Sequence, residues 1–412
     1  MKRTNRKAHV PQELPPLNRS LILLMATASG VSVANIYYIQ PLLEQIAGAY
    51  HVTQAGAGLL ATLTQVGYAL GLFLILPLAD LVERKKLVLT MLVLAAFSLL
   101  TMFLSSNFAL TATACLAIGT TSVIPQLMVP LCAKLSSNAD RGKNIGHIMS
   151  GLLIGVLLSR VVSGIIGKYL GWKAIYLLAV FFMAALFLLL KRMLPVCEVG
   201  MRVKLNYIAS LKSVFTLPGK FPVLREAAIN AALIMAAFSA LWTTLTFQLQ
   251  GSPFHFNTSL IGMFGLLGIT GILFAPFAGK LSDNKGAKFT VGVTILIILV
   301  SYLLFLAFGF RLWGLVLGVI LLDMGVQCCN VANQTRIQNL NEEARNRITL
   351  VYMVSLFLGG AVGSYLGTLL YHRLGWCGFC AFGLLTQVLA ALVHVATMKG
   401  NRAIAIEKNM DN

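Results

Sequence analysis

The sequence predicts an all-α membrane protein of twelve transmembrane helices, arranged as two pseudo-symmetric six-helix bundles. Three observations predict it. Charged residues make up only 11% of the 412 and hydrophobic ones 58%, whereas soluble domains carry about 25% charged residues. Apolar runs of about 20 residues recur to the end of the chain, each long enough to cross roughly 30 Å of hydrocarbon. A turn signal, Gly279-Lys280-Leu281-Ser282-Asp283-Asn284-Lys285-Gly286, has a degraded twin at Leu76-Pro77-Leu78-Ala79-Asp80-Leu81-Val82-Glu83-Arg84-Lys85. The two aspartates are 203 positions apart, close to half the chain, as an internal duplication requires.

Taken in order, the runs place spans at 20–43, 55–79, 86–104, 108–133, 144–168 and 172–191 in the first half. The second half repeats them at 226–248, 259–279, 288–308, 312–334, 349–370 and 376–397. The chain therefore divides into a tail (1–19), an N-terminal bundle (20–191), a linker (192–225), a C-terminal bundle (226–398) and a second tail (399–412). The first run is membrane-length with no small-residue cleavage site behind it, which predicts an uncleaved helix rather than a signal peptide. The linker carries Arg192, Arg202, Lys204, Lys212, Lys220 and Arg225, set against Glu198 and the adjoining Glu226. Its amphipathic piece, Tyr207–Phe215, is expected to lie on the membrane surface.

The net charge of +19 does not indicate nucleic acid, because basic residues fall in short loops and tails without a basic helix face or an aromatic-basic groove. It reads as topology. With both termini inside, all but five of the 32 Lys and Arg lie on the inner side; the exceptions are Arg160, Lys168, Lys173, Arg311 and Arg373. That asymmetry predicts cytoplasmic termini.

The duplication extends past the turn signal. Gly171-Trp172 matches Gly375-Trp376 and Gln126 matches Asn330, each at an offset of 204, and Asp140-Arg141 matches the Glu343–Arg347 region. Two halves in the same orientation form a parallel repeat about an axis along the membrane normal. Small residues form stripes at Gly151, Gly155, Ser159, Ser163 and Gly167, at Gly359, Gly363 and Gly367, at Gly67 and Gly71, and at Gly268 and Gly271. Such stripes let helices approach closely, and one use of them is a sliding contact between the halves.

These residues resemble the major facilitator superfamily, and the likeness covers about residues 18–398. The paired signals are similar to that family's loop signature G-x-L-A-D-R-x-G-R-K. The second copy keeps Gly279, Leu281, Asp283, Gly286 and Lys288. The first keeps Leu78, Asp80, Arg84 and Lys85, but has Leu76 and Glu83 for the glycines and Leu81 for a basic residue. The resemblance is strongest to the bacterial efflux-type branch. It implies an inner-membrane carrier working by alternating access, with Asp80, Arg84, Lys85, Gly279, Asp283, Gly286 and Lys288 as conformational latches that contact the opposite half. Two departures count against drug/proton antiport. Cys115 stands where the fourth helix would carry an arginine, and Gly155-Val156 lacks the Gly-Pro pair of the fifth.

Charges inside the membrane cost about 2.5–3.5 kcal/mol each on insertion scales, so they mark function by default. Arg160 lies about 12 Å in from the outer end of its helix and Asp323 about 18 Å in, at 1.5 Å per residue. Asp323, Gln327, Asn330 and Gln334 share one helix face, a polar stripe that lines a water-filled path or packs on another polar helix. Asp323 has three readings: a proton acceptor, a substrate contact, or a fixed partner of Arg160. Arg160 is either a structural arginine beside the small-residue stripe or a cavity residue that attracts an anion or pairs with Asp323. Asn35, Tyr38 and Gln40 at the end of the first helix are expected to line the central path, as first helices do in the family. Gln65, Gln126, Trp242 and Tyr352 are weaker candidates for it.

No P-loop, metal cluster or nucleophile-base pair is present, so neither an ATP-driven pump nor an enzyme is indicated and no cofactor is implied. Cys377-Gly378-Phe379-Cys380 has no second ligand pair and reads as packing. The expected partners are a small-molecule substrate, protons as coupling ion and the lipid bilayer, with no nucleic acid and a monomeric state. The leading reading is efflux of a small organic solute in exchange for protons. A facilitator or proton symporter for a sugar or metabolite is the alternative, and a membrane sensor without flux a third.

Overall fold

A computed structural model describes residues 17–137, 139–195, 207–342 and 344–410. Both terminal tails in large part, Glu343, linker residues 196–206 and the side chain of Asp80 lie outside the described residues. Among the described residues the fold is the expected one of twelve long helices, the last two merged into one run that breaks at a glycine. They are α1 (Arg19–Tyr50), α2 (Gln54–Ala79), α3 (Arg84–Leu104), α4 (Phe108–Leu135), α5 (Arg141–Leu170) and α6 (Ala174–Met193) in the first half. The second half holds α7 (Pro222–Gln250), α8 (Thr258–Lys285), α9 (Ala287–Phe308), α10 (Leu312–Gln338) and the continuous run Arg345–Met410. That run breaks only at Gly375 (φ 65°, ψ −157°), which separates α11 (345–374) from α12 (376–410).

Local chemistry sets where these helices begin and bend. Asn18, Thr53, Asn107 and Asn257 each accept a backbone N–H of the first turn they precede, at 2.8–3.1 Å. Prolines mark the irregular points. Gln40–Leu42 in α1 is a 3-10 turn containing Pro41, and α4 is broken ahead of Pro125. In α8 the segment Phe264–Gly268 is 3-10. The repeat is visible in the turns. Gly171 (φ 82°) and Gly375 (φ 65°) both take a positive φ that favours glycine, and each is followed by a buried tryptophan.

The structure corrects the expected turn at Gly279–Gly286. The helix α8 runs on through Lys-Leu-Ser-Asp-Asn to Lys285, and the chain reverses only at Gly286 (φ 88°). Gly279 is helical, with nothing within 4 Å of where a Cβ would stand. Asp283 is exposed on the last turn, and the start of α9 receives no side-chain cap. A helix formed in lipid needs no break at the interface when polar helix-compatible residues carry it into water.

The linker forms the helix Tyr207–Lys220, whose Val214 and Leu217 are buried. Tyr207 donates to the Leu74 carbonyl at 2.9 Å and Phe215 packs edge-on against Phe73. The linker helix is thus held by α2.

The small-residue stripes pack within each half at Gly151, Gly155, Gly359 and Gly363, whereas Gly167 approaches Thr258 and Gly268 approaches Leu157 across the two halves. Gly151 and Gly155 of α5 seat against Ala26 and Gly30 of α1, and Gly359 and Gly363 of α11 seat against Ala232 and Ala236 of α7. A Cβ on Gly155 would run into the Gly30 backbone. Gly155→Leu is therefore expected to destroy monodisperse folded protein in size-exclusion chromatography, beyond the usual 1–3 kcal/mol or so of overpacking, because backbone cannot swing aside. Gly146→Ala on the same helix meets open space and should be neutral or stabilising by up to about 1 kcal/mol.

The face on which α1 begins is called the tail face, and the opposite one the far face. The halves meet at the far face. Gln45 donates to Thr258 Oγ1 at 2.9 Å and to the Gly167 carbonyl at 3.1 Å, and Thr246 donates to the Gln40 carbonyl at 2.8 Å. Deeper in, Ser239 donates to Gln65 Oε1 at 3.0 Å, and the Tyr68 and Phe357 rings lie 4.3 Å apart. Toward the tail face α5 and α8 part, since α5 packs on the Thr258–Gly268 segment of α8. Gln327, Asn330 and Gln334 are accordingly half-exposed. The halves are thus joined at the far face, and α5 and α8 separate toward the tail face.

Candidate translocation site

Arg160 sits in α5 just below the far-face closure, only 2% exposed. Its Nε donates to Gln40 Oε1 at 2.8 Å. Its guanidinium lies 3.9 Å from the centroid of the Trp242 ring, 5.1 Å from Tyr37 and 5.9 Å from Phe238, a three-sided aromatic cage. Arg160 Nη2 and Trp242 Nε1 are both buried with no hydrogen-bond partner. A cavity of about 10 Å³ adjoins the guanidinium between Gln40, Trp242 and Ile261. That is close to the space one water occupies.

Asp323 comes from the other half. It is 5% exposed on α10, and its Oδ2 has no hydrogen-bond partner. Of the readings open for Asp323, the direct pair with Arg160 does not form, because no ion pair within 4.0 Å joins the two among the described residues. The two charges still act on each other electrostatically. What separates them is the 3-10 segment of α8. Gly265 lies against the Arg160 side chain, and Gly268 against Leu157 on one side and Asp323 Oδ1 on the other. A Cβ on Gly265 would stand 2.8 Å from Arg160 Cβ, and one on Gly268 3.1 Å from Asp323 Oδ1. A side chain at Gly265 would press on the Arg160 Cβ, which cannot swing aside, whereas one at Gly268 would meet only the ends of the Leu157 and Asp323 side chains.

The polar stripe continues from Asp323 toward the tail face. Gln327, Asn330 and Gln334 are half-exposed, and Asn330 Oδ1 accepts from the Tyr352 hydroxyl at 2.6 Å. Gln65 bridges the halves through Ser239, and Gln126 is half-buried beside Tyr68, to which it hydrogen-bonds. Arg160 with Gln40 and Trp242, Asp323 with its stripe and Tyr352, and Gln65 with Ser239 thus form a group of buried and half-buried polar contacts.

Asn35 and Tyr38 do not join it. Asn35 Nδ2 points into the first half, 3.5 Å from Ser122 Oγ and 3.9 Å from the Met183 sulfur. Tyr38 faces a groove beside α5 and α6. Helix α1 is buried on nearly all sides, so a polar residue can satisfy itself inward as readily as toward the path.

The first latch copy also works within its own half. Arg84 Nε donates to the Ala79 carbonyl at 3.3 Å, and Lys85 Nζ to the Leu194 carbonyl at the end of α6. Lys288, at the start of α9, acts electrostatically on Glu226 of the same half.

Glu226 belongs to a cluster that sequence reasoning missed. Its Oε2 accepts from Arg336 Nη2 at 2.6 Å and its Oε1 contacts His394 Nδ1 at 3.0 Å. This ties α7, α10 and α12 together near the tail face. Glu226 adjoins the basic linker in sequence and reads there as a solvated counter-charge. The available signals were its place inside an alanine-rich helical start and a lone histidine in the last apolar run.

The Major Facilitator Superfamily profile matches residues 25–363 and 227–405. The chain is 38% identical over 377 residues to the putative uncharacterized transporter YgaY of Escherichia coli (strain K12), covering 92% of this chain and 95% of that protein. It is 34% identical over 364 residues to the probable transporter SCO4007 of Streptomyces coelicolor, covering 88% of this chain and 84% of that one. In three dimensions it superposes on a bacterial homolog of the human lysosomal transporter Spinster, in an inward-facing and occupied conformation. The TM-score is 0.76 at 13% identity, over 92% of this chain and 96% of that one. The profile and these relatives across its length place the chain in the Major Facilitator Superfamily, as a membrane transporter rather than an enzyme.

Proposed function

We propose that the protein is a proton-coupled carrier of a small organic solute, working by alternating access, with efflux as its direction. One observation carries the reading. Asp323 is a buried carboxyl with an unpartnered oxygen, at the head of a polar stripe that opens to the tail face. It stands across the bundle interface from a buried, incompletely satisfied arginine. A carboxyl so placed exchanges its surroundings when the bundles rock, and that is what lets a proton be taken up on one side and released on the other. With both termini cytoplasmic, in a bacterial inner membrane, the structure corresponds to the inward-open state of a monomer. Closing it would bring Asp80 and Asp283, on the tail face, toward the opposite half as latches. The efflux direction rests on the likeness to the efflux-type branch.

The test is gradient-driven flux in proteoliposomes, with a solute chosen by thermal stabilisation of the purified protein across a ligand panel. Asp323→Asn is expected to abolish transport driven by an imposed pH gradient while leaving downhill exchange of the solute. If gradient-driven flux survives the substitution, or wild-type flux ignores the gradient, proton coupling through Asp323 fails. Buried Cys115 in place of an arginine and the absence of a Gly-Pro pair in α5 favour a second reading. In that reading the protein is a facilitator or symporter of a sugar or metabolite, recognised by solute entry that a pH gradient leaves unchanged or drives inward.

A further inference from the structure

A cavity of about 1000 Å³ lies off the interface between the bundles. It is a groove beside the α1–α5 seam, and every residue that lines it belongs to the first half. Helix α6 enters the lining only through Leu178 and Phe182, in its far-face half, so that end is covered. The wall is apolar, formed by residues such as Ile22, Ala26, Ile154 and Leu158. Ile154 and Leu158 are 53% and 47% exposed. From Lys143 to Val162 the groove follows α5 for about 28 Å. That is more than the roughly 15 Å depth of one leaflet's hydrocarbon.

The mouth is of a different chemistry. Arg19, Lys143 and His147 converge there with a single acid, Asp140, which already accepts from Ser137 Oγ at 3.1 Å. Among the described residues neither Arg19 nor Lys143 has an ion-pair partner. Two fixed positive charges at the interface and an open apolar slot below them match an anionic headgroup joined to an acyl chain. A soluble anion would use the mouth and leave the slot empty, and a neutral lipid would use the slot and leave the charges unanswered.

We propose that this groove is a binding site for an anionic phospholipid of the tail-face leaflet, with its phosphate between Arg19 and Lys143 and one acyl chain along α5. Since α1, α5 and α6 all lie in one half, the lipid would travel with that half during rocking. It would act as a fixed ligand and not as cargo.

The experiment uses the full chain in detergent, with dioleoyl phosphatidylglycerol and dioleoyl phosphatidylcholine as probes. Retained lipid is counted by native mass spectrometry and thermal unfolding is followed in parallel. Each basic residue near the surface is worth roughly a fivefold preference for an anionic lipid. Wild type should therefore hold phosphatidylglycerol at least tenfold more tightly than phosphatidylcholine. Arg19→Gln with Lys143→Gln should erase that preference, and Leu158→Trp, which fills the slot, should weaken both lipids. Lys280→Gln with Lys285→Gln, on the same face but away from the groove, should change nothing. The proposal falls if wild type shows no preference, or if the distant pair reduces it as much as the groove pair. It also falls if glycerol phosphate protects as well as the lipid does, since the site would then be for phosphate alone.

Discussion

Glu226→Ala is expected to cost the folded protein about 3–5 kcal/mol, the usual penalty for removing one member of a buried ion pair. The reason is what it leaves behind. Glu226 and Arg336 are 3% and 9% exposed at the side chain, and their contact at 2.6 Å is the main compensation for a guanidinium held out of water. Without the carboxylate, Arg336 keeps only a weak contact to Asn333 Oδ1 at 3.4 Å, and His394 loses its partner at 3.0 Å. Three helices of the second half would lose their common tie near the tail face. Thermal unfolding of purified protein reads the effect directly. Glu226→Leu combined with Arg336→Met should recover most of the loss, because an apolar replacement of both partners removes the desolvation cost together with the attraction. A single-mutant loss below about 1 kcal/mol would mean that solvent already screens the pair.

Arg160→Met should behave in the opposite way, leaving stability unchanged within about 1 kcal/mol, or raised, while abolishing coupled transport. Arg160 is as buried as Glu226 but is incompletely satisfied. It gains one hydrogen bond to Gln40, of the order of 1.5–3 kcal/mol for a charged donor, and a desolvated cation–π contact of about 2 kcal/mol. Against these stand an insertion cost of about 2.5–3.5 kcal/mol and an orphaned Nη2. The sum is near zero. A residue kept at no net gain in stability, opposite an unpaired carboxyl of the other half, is retained for what it does in transport. Unfolding and proteoliposome flux measured on the same preparation decide it. A Met variant that unfolds early would make Arg160 a structural arginine, and one that transports normally would remove it from the mechanism.

The helices were legible because lipid imposes one rule, that each span be apolar and long, and composition records that rule. Their ends were less legible. The helices α7, α8 and α10 extend past the hydrocarbon to Pro222, Lys285 and Gln338, since nothing in water obliges a helix to stop where the apolar run does. Arg160 and Asp323 stood out because a charge in an apolar run is expensive wherever it points. Asn35 and Tyr38 could not be oriented, because a helix buried on most sides gives no apolar face to read against. The separation of Arg160 from Asp323 was beyond reach as well. It depends on the 3-10 segment of α8 that passes between them, and two glycines in an apolar run do not announce what they leave room for.

The matched positions of the duplication give this asymmetry an evolutionary meaning. Arg160 corresponds to Ser364, whose hydroxyl lies 2.9 Å from that of Thr243. Asp323 corresponds to Gly119, where any side chain would strike the backbone of Thr64 on α2. Neither position can accept its twin's charge without rebuilding the contact it now makes. An ancestor of two identical six-helix proteins could have assembled from either copy. Two present-day copies of one half cannot, since paired first halves would set Arg160 against Gly119 and paired second halves Asp323 against Ser364, leaving each buried charge without its counter-charge.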